Sequence, residues 1–179
     1  EFAETMIRPN IAEMEETADV SPAVVKALGE ADMMGITIPE AYEGLGLGYI
    51  ERLIALEEIS RVSVGTAMML QVFALGIEPI IKFGSEELKQ KYLPGLAKGA
   101  RLATTAVTEA TGGSDPTGIK TTYKKDGDDF IVNGRKCFIT MGSVKPPSPS
   151  AKTMTMMCWR EMKSPVSSIT NTYSVPHDW

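Results

Sequence analysis

Apolar residues in the first hundred positions recur at the spacing of amphipathic helices. Five near the start lie mostly three or four residues apart, which favours one helical face: Phe2, Met6, Ile7, Ile11 and Met14. Pro9 is expected to kink that helix, because proline lacks the N–H of a helix interior. Ser21 followed by Pro22 is typical of a second helix start, and Gly35 of its end. Residues 36–39 are predicted to form a short extended piece.

Three further helices follow a loop at 40–48, in which Gly44, Gly46 and Gly48 alternate. Residues 49–60 are amphipathic, and the predicted apolar side carries Leu53, Ile54, Leu56 and Ile59. Residues 64–83 are more apolar, so we expect a buried helix, broken near Gly76 and Pro79. Ser85 is expected to cap the last helix, with acidic residues at its positive end, and Pro94-Gly95 to interrupt it.

From about residue 101 the pattern changes to the alternation typical of strands. Strands are predicted over 102–107, 119–125, 130–133 and 135–139. Asp126-Gly127 and Asn133-Gly134 are strong hairpin signals, so we expect an antiparallel meander. Helices followed by strands indicate an α+β fold rather than alternating βαβ units. We therefore predict an all-α domain over 1–100 and the start of an antiparallel β domain over 101–142.

Residues 143–179 fit neither pattern and are rich in Ser, Thr, Pro and Met. Two interpretations stay open for this unassigned tail: a poorly ordered segment, or a stretch that is not the natural continuation of the gene. Its single histidine, His177, is expected to lie at the surface. Residue 1 is Glu rather than Met, and the first residues look like the inside of a helix, so the start of the chain is expected to be trimmed.

Composition narrows the classes of partner. The chain is 43% hydrophobic and carries a formal net charge of −5 without a block of like charges, which disfavours nucleic acid and anionic membranes. No apolar run approaches the length of about 20 residues that crosses a bilayer. Cys137 and Cys158 have neither disulfide-framework nor zinc spacing, which favours a reducing compartment. A cytoplasmic location is expected, or the mitochondrial matrix in a eukaryote.

Two hydroxyl-rich segments follow predicted strands and form the candidate site. Thr108 and Thr140 are placed to hydrogen-bond the edge of a planar cofactor such as a flavin. The Gly112-Gly113-Ser114 turn allows close approach of backbone N–H groups to phosphate oxygens. The alternative from spacing alone is a glycine turn between strands, with threonines selected for β propensity.

Four ordered motifs over about 140 residues resemble the acyl-CoA dehydrogenase family. Residues 107–115 (VTEATGGSD) resemble its Thr-Glu-Pro-x-x-Gly-Ser-Asp signature, and 131–140 (IVNGRKCFIT) its NG-x-K-x-(Trp/Phe)-Ile-Thr segment. Residues 38–48 are similar to its PE-x-x-GG-x-G loop. Residues 82–94 are similar to its FG-(Ser/Thr)-EE-x-K-x-KYLP helix. Ala110 departs from the pattern, because the signature usually has Pro there.

The resemblance implies a flavoenzyme that removes hydrogen across the Cα–Cβ bond of an acyl-CoA in fatty-acid or amino-acid catabolism. It implies FAD as cofactor, electron-transferring flavoprotein as electron acceptor, and a homo-oligomer, either a dimer or a homotetramer. Ser114 is also implied to reach the CoA portion of the substrate, and Phe138 to lie against the isoalloxazine. The implied cofactor-binding residues are Thr105, Val107, Thr108, Gly113, Ser114, Phe138, Ile139 and Thr140.

No catalytic residue is assigned, because the family's base lies on a C-terminal helical bundle that is not recognisable after Gly142. Glu109 and Asp115 are interpreted as organising the loop, since carboxylates at turns commonly accept backbone N–H bonds. This chain alone is expected to be inactive. Two alternatives stay open: a truncated, inactive helical interaction module, or an acyl-CoA oxidase. A partial β domain with open edges predicts instability or oligomerisation.

Overall fold

A computed structural model describes residues 1–126, 129–140 and 153–157. They fall into two compact units, one of residues 1–106 with 139–140 and 153–157, the other of 107–126 with 129–138. The described helices and strands are, in chain order, α1 (Ile11–Thr17), α2 (Pro22–Glu30), α3 (Tyr49–Ser60), α4 (Val64–Phe83), α5 (Glu86–Ala97), β1 (Leu102–Ala106), β2 (Thr122–Asp126), β3 (Asp129–Asn133) and β4 (Thr153–Met157).

The start of the chain is helical with a change of geometry at its proline. A π-helical turn over Ala3–Ile7 passes into a 3-10 turn over Arg8–Asn10, and α1 follows. Pro9 lies in the 3-10 turn, so the predicted irregularity is confirmed. Ala3 and Ile7 are buried, whereas the Arg8–Glu4 ion pair of the same segment is exposed to solvent.

Helix α2 begins where the sequence predicts and ends earlier. Pro22 is its first residue, but the hydroxyl of Ser21 makes no capping bond. The helix stops at Glu30 rather than Gly35, and residues 31–38 form turns, so the predicted extended piece is wrong. The reason is local pairing, because Gly35 O accepts the N–H of Leu45 at 2.9 Å. The glycine loop therefore folds back on this stretch.

Helix α4 runs without interruption through Gly76 and Pro79, so the predicted break is wrong. Gly76 is buried against β1, where a Cβ atom would lie 2.9 Å from both Ala103 Cβ and Thr104 N. Glycine is therefore present for close packing rather than to end the helix. Pro79 deprives the carbonyl of Leu75 of its helical partner, and Leu75 is half exposed, so solvent can satisfy that oxygen.

Helix α5 begins as predicted, with the Ser85 hydroxyl accepting the N–H of Leu88 at 3.3 Å. Pro94-Gly95 does not interrupt it, because the helix continues to Ala97. Leu93 and Leu96 on either side of the pair are fully buried. Packing of these leucines outweighs the local preference of the pair.

The core of the first unit is built mainly from α2, α4, α5 and β1. Its largest fully buried side chains are Phe73, Ile7, Leu28, Ile38, Met69, Ile77, Leu93, Leu96, Leu102, Val24 and Val25.

Helix α3 has the predicted bounds, but its predicted apolar side is only partly correct. Ile59 is buried, whereas Leu53 and Ile54 are more than half exposed.

Among the described residues, α4 is the one helix whose length and composition would allow it to cross a bilayer. The expectation that no apolar run approaches this length is therefore wrong for residues 64–83, although half of the apolar window is buried inside the unit.

The strands pair differently from a meander. In the first unit, β1 pairs in parallel with β4, from Leu102 opposite Thr153 onward. In the second, β2 and β3 form an antiparallel hairpin whose last pair is Asp126–Asp129, which agrees with the turn predicted at 126–127. β4 lies in the segment for which we predicted no folded element, so that expectation is wrong for 153–157.

Residues 135–139 are not a strand, which corrects the fourth strand prediction and the second hairpin signal. The structure gives a reason, since Cys137 N–H donates to Thr108 O at 3.0 Å and pairs this segment with a loop instead. A Cβ atom on Gly134 would lie 2.1 Å from the Thr121 hydroxyl, so this glycine serves close packing. The described residues do not include Gly127 or the tail apart from 153–157, so the expectations for Cys158 and His177 lie outside them.

Replacement of Gly76 by alanine should destabilise the chain by about 1–3 kcal/mol, because the added methyl group meets the backbone of β1. Gly65→Ala in the same helix is the matched control. Its Cβ would meet only Ser63 Oγ at 3.9 Å, so helix propensity should stabilise it by up to about 1 kcal/mol. Urea unfolding followed by circular dichroism measures both. Equal stabilities would contradict the close approach of α4 and β1.

Candidate functional site

The signature segment of the second unit begins as a tight reversal. Glu109 and Gly112 exchange two backbone hydrogen bonds of 3.0 and 3.1 Å across Ala110 and Thr111. The reversal closes although Ala110 stands where the family signature usually has proline. It directs the chain from the end of β1 into the Gly112-Gly113-Ser114 turn.

Two predicted site residues, Thr108 and Gly113, are in direct contact across this reversal. A Cβ atom on Gly113 would lie 2.8 Å from Thr108 Oγ1 and 3.0 Å from its Cγ2. The absence of a side chain at 113 therefore leaves room for the Thr108 side chain. Ser114, next along the turn, is exposed.

Asp115 organises the loop as interpreted from the sequence. Its Oδ1 accepts the N–H of Thr117 at 2.9 Å and the Thr117 hydroxyl at 2.6 Å. These bonds lower the pKa of the Asp115 carboxyl from its usual value. They cap the short 3-10 turn over Pro116–Gly118, so the role is local and structural.

Glu109 is buried, and both of its carboxylate oxygens accept hydrogen bonds. Its Oε1 accepts from the Thr121 hydroxyl, from Thr121 N–H at 2.9 Å and from Lys136 Nζ at 2.9 Å. Its Oε2 accepts from Lys120 N–H at 2.8 Å. We call these four residues the Glu109 cluster. A carboxylate bonded on both oxygens ties the signature segment to the start of β2 and to the segment after β3.

The Glu109 cluster holds this carboxyl in its ionised form. The Thr121 hydroxyl, followed by the backbone N–H groups of Lys120 and Thr121 and the ammonium of Lys136, lowers the pKa of Glu109 from 4.5 to about 2. Burial opposes this change and is outweighed. A carboxylate this weakly basic, with no free oxygen, is unsuited to act as a general base.

Lys136 carries the link between the two motif segments. Its side chain is only 1% exposed, and Nζ donates to both Glu109 Oε1 and Val107 O at 2.9 Å. Cys137 N–H donates to Thr108 O beside it. Segments 107–109 and 136–138 therefore lie together in the second unit. Sequence analysis missed this role, although Lys136 occupies the lysine position of the NG-x-K motif.

Phe138 follows that link in an unusual conformation. Its φ is +57°, in the left-handed region that bulky residues rarely adopt, and its residue surface is 88% exposed. The conformation of a strained residue persists where its surroundings dictate it. Here the preceding residues, Lys136 and Cys137, are both bonded to the signature segment, and the ring extends into solvent.

The remaining predicted site residues belong to the first unit. Thr105 on β1 has a buried hydroxyl without a hydrogen-bond partner among the described residues. The hydroxyl of its neighbour Thr104 donates to Thr140 O at 2.5 Å, which fixes the second motif's end beside β1. Ile139 is half-buried. The predicted residues are thus divided between two units, each of which assembles its own part.

Comparison with protein families decides the relationship. The acyl-CoA dehydrogenase N-terminal domain matches residues 1–100, and the acyl-CoA dehydrogenase middle domain matches residues 104–170. The chain belongs to the acyl-CoA dehydrogenase family. It is 39% identical over 143 residues to an acyl-CoA dehydrogenase of Bacillus subtilis, covering 79% of this chain and 38% of that protein. It therefore spans less than half the length of this relative.

Solved structures agree with the family. An acyl-CoA dehydrogenase of Bacillus anthracis complexed with FAD matches with a TM-score of 0.71 and 36% identity, over 77% of this chain and 24% of that one. A chain from a study of the electron transferring flavoprotein of Acidaminococcus fermentans matches with a TM-score of 0.74 and 38% identity. That match covers 79% of this chain and 37% of the other. The α+β fold predicted from the sequence is confirmed.

Glu109→Gln should lower the free energy of unfolding by about 3 kcal/mol at pH 7, because it leaves the buried Lys136 ammonium without a counter-charge. Glu4→Gln is the control, since Glu4 forms an exposed pair with Arg8 and its loss should leave the free energy of unfolding nearly unchanged. Urea unfolding measures both. A Glu109 variant as stable as the Glu4 variant would contradict a buried pair.

The same pair predicts a pH dependence. The folded pKa of Glu109 is about 2 and lies below its ordinary value of 4.5. The stabilisation is therefore complete above pH 4.5 and is lost as the pH falls towards 2. Stability measured between pH 5 and 2 should fall more steeply for the unmodified chain than for Glu109→Gln. Parallel curves would contradict the lowered pKa.

Proposed function

We propose that this protein catalyses the FAD-dependent α,β-dehydrogenation of an acyl-CoA thioester. The observation that carries the proposal is the direct link between the family's two flavin-associated motifs, made by Lys136 and by the N–H of Cys137. The link joins the segment that contains Thr108 to the segment that contains Phe138. These bonds fix the position of segment 107–109 relative to segment 136–138 within the second unit.

The residues present fit a flavin nucleotide. Thr105 carries a buried hydroxyl without a partner among the described residues, which suits a hydrogen bond to a polar ring edge. Phe138 offers an exposed aromatic face to a planar ring. The turn over 112–114 gives close backbone access to phosphate oxygens, with the exposed hydroxyl of Ser114 beside it.

FAD supplies the capacity to accept hydride, and the chain's contribution is binding and orientation. In the second unit, Val107 and Thr108 are proposed to contact the ring edge. Thr105, Ile139 and Thr140 belong to the first unit, and their proposed flavin contacts rest on the motif resemblance alone. Gly113 and Ser114 are proposed to hold the phosphates, with Ser114 also contacting the CoA portion of the substrate. We assign no catalytic base within the described residues, and we propose a structural role for Glu109, because both of its carboxylate oxygens are bonded within the cluster.

The wider context of the reaction is also proposed. The match to a chain from the study of an electron transferring flavoprotein supports that class of protein as the electron acceptor. Acyl-CoA substrates suit fatty-acid or amino-acid catabolism, in the cytoplasm or the mitochondrial matrix. Each sheet among the described residues has two strands, and strand edges left without a partner favour a homo-oligomer, for which we propose a dimer or tetramer.

Gly113→Ala tests the flavin site. The added methyl group must displace the Thr108 side chain, at a cost of about 1–3 kcal/mol, so FAD should bind about tenfold more weakly or worse. Gly118→Ala is the matched control, because a Cβ there meets nothing within 4 Å. Titration of the purified chain with FAD, followed by flavin fluorescence, measures both. Identical affinities for the two variants would contradict the assignment of this turn.

The reaction itself is tested by adding acyl-CoA thioesters to the FAD-loaded full-length protein without oxygen. Loss of the oxidised flavin absorbance supports dehydrogenation. The oxidant that then reoxidises the reduced flavin distinguishes a dehydrogenase from an oxidase. A dehydrogenase should be reoxidised rapidly by electron-transferring flavoprotein and slowly by oxygen. An unchanged spectrum with every acyl-CoA tested would contradict the proposed activity.

A further inference from the structure

Lys136 is a buried cation, and its ammonium donates two hydrogen bonds to groups of one segment, residues 107–109. Its side chain is 1% exposed, and its ammonium donates to a backbone carbonyl, Val107 O, as well as to the carboxylate of Glu109. Burial of a lysine is costly unless the charge is paired and hydrogen-bonded. The contacts of Lys136 satisfy both conditions. The bond to Val107 O is not needed to neutralise the charge, because Glu109 already does so.

The carbonyl bond matters because of what lies next to it. Val107 precedes Thr108, whose carbonyl accepts the N–H of Cys137 at 3.0 Å. Phe138 follows Cys137 with φ at +57°. Two consecutive carbonyls of the signature segment are therefore bonded by two consecutive residues of the second motif. The relative position of Thr108 and Phe138 depends on these bonds.

The rest of the cluster serves a different purpose. The hydrogen bonds described for Thr121 and for the N–H of Lys120 go to the carboxylate of Glu109, whereas Lys136 also bonds the backbone of Val107. They keep the carboxylate ionised and anchor it to the start of β2. Stabilising the buried pair and positioning the motif backbone are thus separable roles, and Lys136 alone among the cluster's side chains has both.

We propose that Lys136 is a positioning residue of the flavin site, which sets the place of Thr108 relative to Phe138 through its bond to the carbonyl of Val107. This inference rests on the proposed function for its ligand, FAD. Lys136 does not touch the cofactor in this account. It acts through the backbone of the signature segment, and Glu109 supports it by neutralising its charge.

Three variants separate positioning from simple stability. Lys136→Met removes the ammonium and leaves the carboxylate of Glu109 buried without its cation. Lys120→Met is the matched control, because Lys120 contributes its backbone N–H to the cluster and its residue surface is exposed. The double variant Glu109→Gln/Lys136→Met removes both charges, which should restore much of the stability lost in Lys136→Met.

FAD affinity and thermal stability are measured for all variants of the 179-residue chain. Loss of the bonds made by Lys136 should weaken FAD binding by about tenfold to a hundredfold in Lys136→Met. The double variant should regain melting temperature but not FAD affinity, and Lys120→Met should match the unmodified chain. A double variant that regains affinity together with stability would overturn the proposal, because the pair would then be purely structural. Lys136→Met binding as tightly as Lys120→Met would overturn it equally.

A second measurement keeps the proposal distinguishable from the proposed function. Hydrogen exchange of the Cys137 amide without FAD reports the contact with Thr108 O. Exchange should be at least tenfold faster in the double variant than in Lys120→Met. If the unmodified chain binds no FAD but this difference is found, the cofactor assignment fails and the positioning role stands. Equal exchange in the two variants overturns the positioning role.

Discussion

The second unit depends on one buried ion pair, between the carboxylate of Glu109 and the ammonium of Lys136. Neither charge would be tolerated alone in such an environment, because a buried ion needs a partner and saturated hydrogen bonds. The chain meets this need with donors from two separated segments, residues 120–121 and Lys136. Satisfying one carboxylate therefore brings the loop after β1, the start of β2 and the segment after β3 together.

The same pair explains how a chain with few apolar residues in this part can hold a defined loop. The loop's own backbone makes a tight reversal, and the Thr108 side chain packs against Gly113 within it. The exposed ring of Phe138 and the exposed hydroxyl of Ser114 bury little surface. A cofactor site requires polar groups that are fixed by buried hydrogen bonds and lie beside exposed contact groups. Such pre-organisation raises the affinity for a ligand, because less order has to be imposed on binding.

Sequence analysis predicted the helices well and their interruptions poorly. Apolar periodicity predicted α3 over residues 49–60, and the serine cap predicted the start of α5 at residue 86. Gly76 and Pro94 do not end helices, because tertiary packing outweighs local propensity. β4 lacked a periodic signal, and its pairing with β1 is a long-range contact that a local pattern cannot encode. Motif resemblance identified the candidate segments. The burial of Lys136 could not be predicted, because the sequence shows a lysine without showing the carboxylate 27 residues away that pairs with it.

The central claim is that segments 107–114 and 136–138, joined by Lys136, form one flavin-binding surface. The most direct test follows backbone amide resonances of the isotopically labelled chain while FAD is added. We predict that amides in both segments, including Thr108 and Phe138, shift together with a single affinity, while those of α1 and α2 stay unchanged. Shifts confined to one segment, or absent from both while FAD binds elsewhere, would contradict the account.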